Sequence, residues 1–199
     1  INDAEFLKFL QRNKINAGVS IRCYQKFSQE IIDHFNNKNL IPHQPFFVNL
    51  HPGLLPEYRG VTTYCCAMQN QEKYAGFTLH FIDQYWDAGA IISRSPQPLD
   101  YSLSVVENMC LHVDSASELL LSAIQKLSLK KIVKSKEQDK RKAAYYTHAT
   151  KNDFIDFRKK KIKLVRPKSI MNLILQKYLS FDEKDAKMLM HFKHNFYEQ

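Results

Sequence analysis

The order of apolar and polar positions predicts alternating helices and strands over the first 127 residues. Phe6, Leu7, Phe9 and Leu10 fall at helical spacing within 3–13, with Asn2 and Asp3 as candidate caps. Residues 15–24 read as a strand running to a polar, aromatic end at Tyr24 and Gln25. Ser28 stands before a second helix, 29–37, which carries Ile31, Ile32 and Phe35 and is broken by Asn36, Asn37 and Asn39. Residues 45–51 form the clearest buried strand, apolar until its end, where polar side chains enter. Residues 62–71 predict a helix, 76–82 an alternating strand and 90–95 a short strand. This order points to an α/β, Rossmann-like fold built from βα units, with a mostly parallel sheet and helices on both faces.

Ser104 and Glu107 are placed as a capping box. The segment behind them, 105–127, reads as one long helix or two broken near Asp114 and Ser115. Residues 128–142 are Lys-rich and read as a loop. Thr150 and Asp153 precede a helix carrying Phe154 and Phe157, and 169–179 and 182–194 read as two further amphipathic helices. The chain thus divides into an α/β domain, 1–127, and a basic, mainly helical extension, 128–199.

Composition narrows the classes. At 199 residues with 44% hydrophobic and 25% charged positions, the chain is an ordinary globular one, which excludes collagen-like, low-complexity and disordered readings. Four cysteines without a CxxC pair exclude a disulfide framework and a structural zinc site, and read as buried thiols in a reducing, cytoplasmic setting. No apolar run is long enough to span a membrane, and no signal peptide is visible. Charge is split: residues 1–125 hold 9 Lys/Arg against 12 Asp/Glu, whereas 126–199 hold 20 against 8. The basic third suits an anionic partner such as a phosphorylated substrate or nucleic acid, or serves only as a solvated surface.

The chemistry gathers at two strand ends. Asn49 and His51 are two apart, so an extended chain points both to one face, and Pro52 keeps His51 extended. Carboxyl ends of strands in open α/β sheets are where ligands bind. Asp87 lies in the loop after the 76–82 strand. An amide, an imidazole and a carboxylate in one pocket suit acyl transfer: the first two stabilise an oxyanion and the third accepts a proton. Each taken singly is equally a satisfied structural residue or a loop cap.

Asn49-x-His51-Pro-x-Leu-Leu-Pro-x-Tyr58-Arg59-Gly60, followed by Gly76-x-Thr-x-His-x-Ile-Asp83 and Asp87-x-Gly89-x-Ile-Ile92, resembles the folate-dependent formyltransferase family. That family includes glycinamide ribonucleotide, methionyl-tRNA and nucleotide-sugar N-formyltransferases. The resemblance covers about residues 15–127. It implies 10-formyltetrahydrofolate as donor, a primary amine as acceptor and no metal. Asn49, His51 and Asp87 match the family's catalytic residues, with Asn49 and His51 serving the oxyanion and Asp87 the amine proton. Asp87 is expected to hold His51 protonated at neutral pH. The pterin end of the donor is expected between Tyr24, Gln25 and Phe27 on one side and Ile82, Asp83 and Trp86 on the other. Phe27 is equally well read as plain core.

The chain departs from the family pattern in three places. Only 48 residues precede Asn49, so an N-terminal βαβ unit is expected to be missing. Asp83-Gln84-Tyr85 stands where Asp-Glu-Gly is common, and Gly53 where Ser or Ala is more usual. Tyr145-Tyr146-Thr-His-Ala-Thr150 resembles the tail of sugar N-formyltransferases. The favoured acceptor is therefore a nucleotide-linked amino sugar, with Lys130, Lys131 and Arg141 as candidate pyrophosphate ligands and a homodimer possible. Glycinamide ribonucleotide or methionyl-tRNA formyl transfer, formyltetrahydrofolate hydrolysis and a non-catalytic binding module are the alternatives.

Overall fold

The computed structural model describes residues 1–37, 46–169 and 171–172. Helix α1 (Ala4–Arg12) starts where Asp3 accepts the Phe6 amide, and buries Leu10. Strand β1 (Ala17–Ile21) follows, then α2 (Gln29–Asn36), whose Ile31, Ile32 and Phe35 are buried. Strand β2 (Phe46–His51) is buried along almost its whole length, as its apolar run predicts. Next come β3 (Arg59–Gly60), α3 (Thr63–Gln69), β4 (Tyr74–Phe81) and β5 (Ile91–Pro98). Helix α4 (Val105–Leu111) opens on the Ser104–Glu107 capping box. Helix α5 (Val113–Ser128) is separated from α4 at His112, close to the break expected near Asp114 and Ser115, and His112 Nδ1 meets the Tyr64 hydroxyl at 3.0 Å. After a 3₁₀ turn at Lys140–Lys142 come β6 (Tyr145–Tyr146) and α6 (Lys151–Lys159), capped by Thr150 and Asp153. The helices expected over 169–179 and 182–194 lie, but for the first residues of the former, outside the described residues. Among those described, no helix is long and apolar enough to cross a membrane.

The main sheet runs β1-β2-β4-β5, and β3 and β6 form a second, two-stranded sheet. The α/β class holds, with a mixed sheet. Strands β1 and β2 are parallel, whereas β2–β4 and β4–β5 are antiparallel. Apolar alternation reports which side of a strand is buried and is blind to its direction. The nine-residue-scale loop between β4 and β5 is a hairpin connection, which joins antiparallel strands without a crossover.

Alternation on β2 separates two layers. Phe46, Val48 and Leu50 face a cluster with Met68, Leu79 and Ala116, covered by α3 and α5. Phe47 faces the other side, against Phe35 at 4.3 Å between ring centres, under α1 and α2. Each fully buried side chain of this kind contributes roughly 1.5–3 kcal/mol.

The described part of the basic extension is built into this core. Val133, Phe157 and Ile162 are buried in the same cluster as Val48 and Leu79. The Val105 amide donates to Lys163 O, and Arg166 binds both Glu107 carboxylate oxygens at 2.7 and 2.8 Å. Outside α6 this segment is mostly irregular rather than helical.

The Arg166 hydrogen bonds, helped by Ser104, hold the Glu107 carboxyl down to about 2 against its burial. The pair's stabilisation is full above the ordinary carboxylate value and is lost as pH falls toward 2. Arg166→Ala is expected to be less stable than the parent at neutral pH and to match it near pH 2, as read by urea unfolding. An equal gap at both would contradict this account.

Candidate active site

The face of β2 that begins under α2 at Phe47 continues past that helix as Asn49 and His51. Register places Asn49 opposite His80 and His51 opposite Thr78, so an apolar face ends in a polar patch. Thr78 Oγ1 donates to Gly53 O at 2.6 Å and accepts the Leu55 amide at 3.1 Å, which ties the turn after β2 to β4.

Asp87 reaches this patch from the β4–β5 loop. Its Oδ1 accepts from Asn49 Nδ2 at 3.3 Å and lies 3.4 Å from His51 Nδ1 and 3.7 Å from His80 Nε2. Its Oδ2 accepts the Gly60 amide at 2.8 Å. Gly60 has φ +89°, and a side chain there would strike the Tyr146 carbonyl, so glycine is required. Asp87 itself sits at φ +50°, a left-handed conformation that costs on the order of 1 kcal/mol or more in a non-glycine residue. Gln138 offsets this: its Nε2 donates to the carbonyls of Asp87 and Gly89 at 2.9 and 2.8 Å.

The hydrogen bonds assign proton positions. His51 Nε2–H donates to Tyr58 O at 2.7 Å, and His80 Nδ1–H donates to Phe81 O at 2.7 Å. His80 Nε2, the other ring nitrogen, lies 3.1 Å from Asn49 Nδ2. Burial lowers the His51 pKa below its ordinary value, and the pulls of Asp87 and the Tyr58 carbonyl do not restore it. This direction runs against the expectation that Asp87 holds His51 protonated at neutral pH. The two approach without a hydrogen bond, too loosely to outweigh desolvation in a site so well covered. Burial raises the Asp87 carboxyl, but the His80 contact, the neighbouring His51 and the Gly60 amide outweigh it, and Asp87 lies below its ordinary value.

Asn49, His51 and Asp87 line one wall of a cavity of about 500 Å³. Arg22, Tyr24 and Trp86 also line it. Arg22 hydrogen-bonds Tyr24 Oη and Met109 Sδ. A hydrogen-bond donor, a proton acceptor and an aromatic-walled space of ligand size can together carry out acyl transfer.

A model of the formyl transferase family matches residues 2–124. The chain belongs to the formyl transferase family. It is 27% identical over 155 residues to a methionyl-tRNA formyltransferase of Syntrophomonas wolfei, covering 75% of this chain and 49% of that protein. It is 30% identical over 110 residues to the trifunctional purine biosynthetic protein adenosine-3 of Chironomus tentans, covering 55% of this chain and 8% of that one. The chain thus spans about half the length, or less, of these relatives. Its fold is that of the formyltransferase PseJ from Anoxybacillus kamchatkensis, with TM-score 0.58, 19% identity and coverage of 72% of this chain and 70% of that one. That structure is a complex with UDP-4,6-dideoxy-4-formamido-L-AltNAc and tetrahydrofolate.

Within this formyl transferase chain, the three residues read as catalytic converge. The six read as donor-binding divide. Tyr24 and Trp86 line the cavity. Gln25 is exposed and its carbonyl takes the Cys23 thiol. Phe27 packs edge-on against Phe47 at 4.8 Å, and Ile82 joins the same cluster while its amide binds Phe47 O, so both are core. Asp83 accepts the Tyr85 amide and shapes the loop. Lys130, Lys131 and Arg141 do not line the cavity, and Arg141 is paired with Asp139 at 3.0 Å.

Three participants escaped the sequence reading. His80 is visible in alternation with Thr78, but its place beside Asn49 needs the strand register. The Gly60 amide is a backbone group. Gln138 comes from a Lys-rich loop about fifty residues away, with no local pattern to mark it.

Gly53 also matters to the formyl transferase site. A Cβ there would lie 2.5 Å from Tyr58 O and 2.7 Å from His51 Nε2. Gly53→Ala is expected to push His51 off the Tyr58 carbonyl and to destabilise the fold by roughly 1–3 kcal/mol. Urea unfolding and the kcat of the variant check this; an unchanged protein would show that the turn yields freely.

Proposed function

We propose that this chain transfers a formyl group from 10-formyltetrahydrofolate to the primary amine of a small molecule, a nucleotide-linked amino sugar. The observation that carries the reading is the convergence of Asn49, His51 and Asp87 on one wall of a ligand-sized cavity. Tyr24 and Trp86 suit the donor, because a flat conjugated ring packs well on aromatic side chains. The donor supplies the formyl carbon when bound. Asn49 Nδ2 then turns its hydrogen bond from Asp87 toward the oxygen on which charge develops. Asp87 accepts the proton released by the attacking amine, and His51 Nδ1, 3.4 Å away, shares it until it is returned to the leaving nitrogen.

Three features support the sugar acceptor. The fold neighbour from Anoxybacillus kamchatkensis carries a formamido nucleotide sugar. Arg22 on the cavity wall has no carboxylate partner among the described residues, which suits a diphosphate. The tail residues Tyr145 and His148 also line the cavity. The basic third and the similarity to a methionyl-tRNA formyltransferase favour a second reading, charged tRNA as acceptor. The test is formamide formation, followed by mass spectrometry, with the donor and a panel of amino nucleotide sugars and methionyl-tRNA. Formylation of a sugar amine supports the proposal. Formylation of methionyl-tRNA alone, with steep salt dependence, would replace the acceptor. No formamide from any amine would overturn it.

A further inference from the structure

Resting on that reading, we infer that Gln138, braced by Arg59, is a positioning residue that holds Asp87 in its working conformation. Gln138 is buried in a segment that contributes no group to the chemistry. Both polar atoms of its side chain are engaged, the nitrogen by the loop that bears Asp87 and the oxygen by Arg59. Its amide nitrogen binds two carbonyls of that loop, those of Asp87 and Gly89. Its amide oxygen accepts from Arg59 Nε at 3.1 Å and Nη2 at 2.7 Å.

The arrangement holds Asp87 from both ends using consecutive residues of β3. Arg59 fixes the glutamine that grips the Asp87 backbone, and the Gly60 amide grips the Asp87 carboxylate. Strand β3 is in turn paired to β6, with the Arg59 amide donating to Ala144 O and the Val61 amide to Tyr146 O. The segment bearing Gln138 is anchored on the other side by two 2.8 Å backbone hydrogen bonds between Lys136 and Ile91. A left-handed aspartate has an alternative, relaxed conformation close at hand. Loss of the Gln138 contacts is expected to let Asp87 relax toward it and to draw its carboxylate away from His51 and Asn49.

The residue type is specific. Glutamine presents two donors and an acceptor on one flat group. Glutamate keeps the Arg59 contact but turns an oxygen toward two carbonyls. Leucine keeps most of the volume and removes both contacts.

The experiment measures Gln138→Leu and Gln138→Glu by two readouts. In steady-state formyl transfer, both variants are expected to lose kcat by roughly tenfold to a hundredfold, with the donor KM within about twofold. In the NMR titration of His51, assigned through His51→Asn, the midpoint is expected to fall below the parent's in Gln138→Leu. The groups facing His51 are Asp87, His80 and the Tyr58 carbonyl, and only the pull of Asp87 is withdrawn. A general loss of stability would lower the melting temperature without moving either the kcat-to-KM split or the His51 midpoint. Should Gln138→Leu not fold, Gln138→Glu is read by kcat and KM alone. An unmoved His51 midpoint in Gln138→Leu, or kcat within twofold of the parent in Gln138→Glu, overturns the inference. A parent protein that formylates no amine would sink the proposed function, while the His51 titration of Gln138→Leu still decides the clamp.

Discussion

Asp87→Asn is expected to abolish nearly all formyl transfer while leaving the donor site intact. Asparagine has almost the same shape as aspartate and tolerates the left-handed backbone that Asp87 adopts at φ +50°. Its side-chain oxygen still accepts the Gly60 amide, and Gln138 still holds its carbonyl. What disappears is the capacity to take a proton. Positioned proton transfer is worth about 10²–10⁴ in rate, so kcat should fall by that factor with the donor KM nearly unchanged. Steady-state kinetics together with the binding of a donor analogue separate the two effects. A kcat within tenfold of the parent would remove Asp87 from proton transfer and leave His51 Nδ1 as the base.

Asn49→Ala carries the second large effect. Asn49 is the one neutral side-chain donor that projects between His80 and Asp87 at the end of β2. Loss of a single oxyanion donor in a dry site costs about 10²–10³ in kcat, or roughly 2.7–4 kcal/mol in the barrier. The interaction forms as charge develops on the oxygen, so kcat and kcat/KM should fall together. A rise in KM with kcat intact would show instead that Asn49 only binds substrate.

How far the sequence foretold these residues depended on the range of the contacts involved. Phe46, Val48 and Leu50 alternate with Phe47, Asn49 and His51, and that pattern alone places Asn49 and His51 on one face at a strand end. The capping boxes of α4 and α6 were legible because three residues define each of them. Strand direction was not, since burial alternates identically in parallel and antiparallel strands. Phe27 and Ile82 show a related difficulty: their position in the loops near the cavity was legible, but their side chains turn to the Phe47 layer. Gln138 marks the limit. Its partners are separated from it by 51 and 79 residues, and only the folded chain brings them together. The downward shift of the His51 pKa was beyond the sequence for a similar reason. It depends on how completely the site is covered, and burial there outweighs the neighbouring carboxylate.

The most direct test of the central claim is calorimetric titration of the protein with 5-formyltetrahydrofolate, a stable isomer of the proposed donor, run in parallel on the parent, Trp86→Ala and Asp87→Asn. Saturable one-to-one binding to the parent and to Asp87→Asn, clearly weakened in Trp86→Ala, is the predicted result. Absence of binding to the folded parent protein would contradict the claim that this cavity is a formyl-donor site.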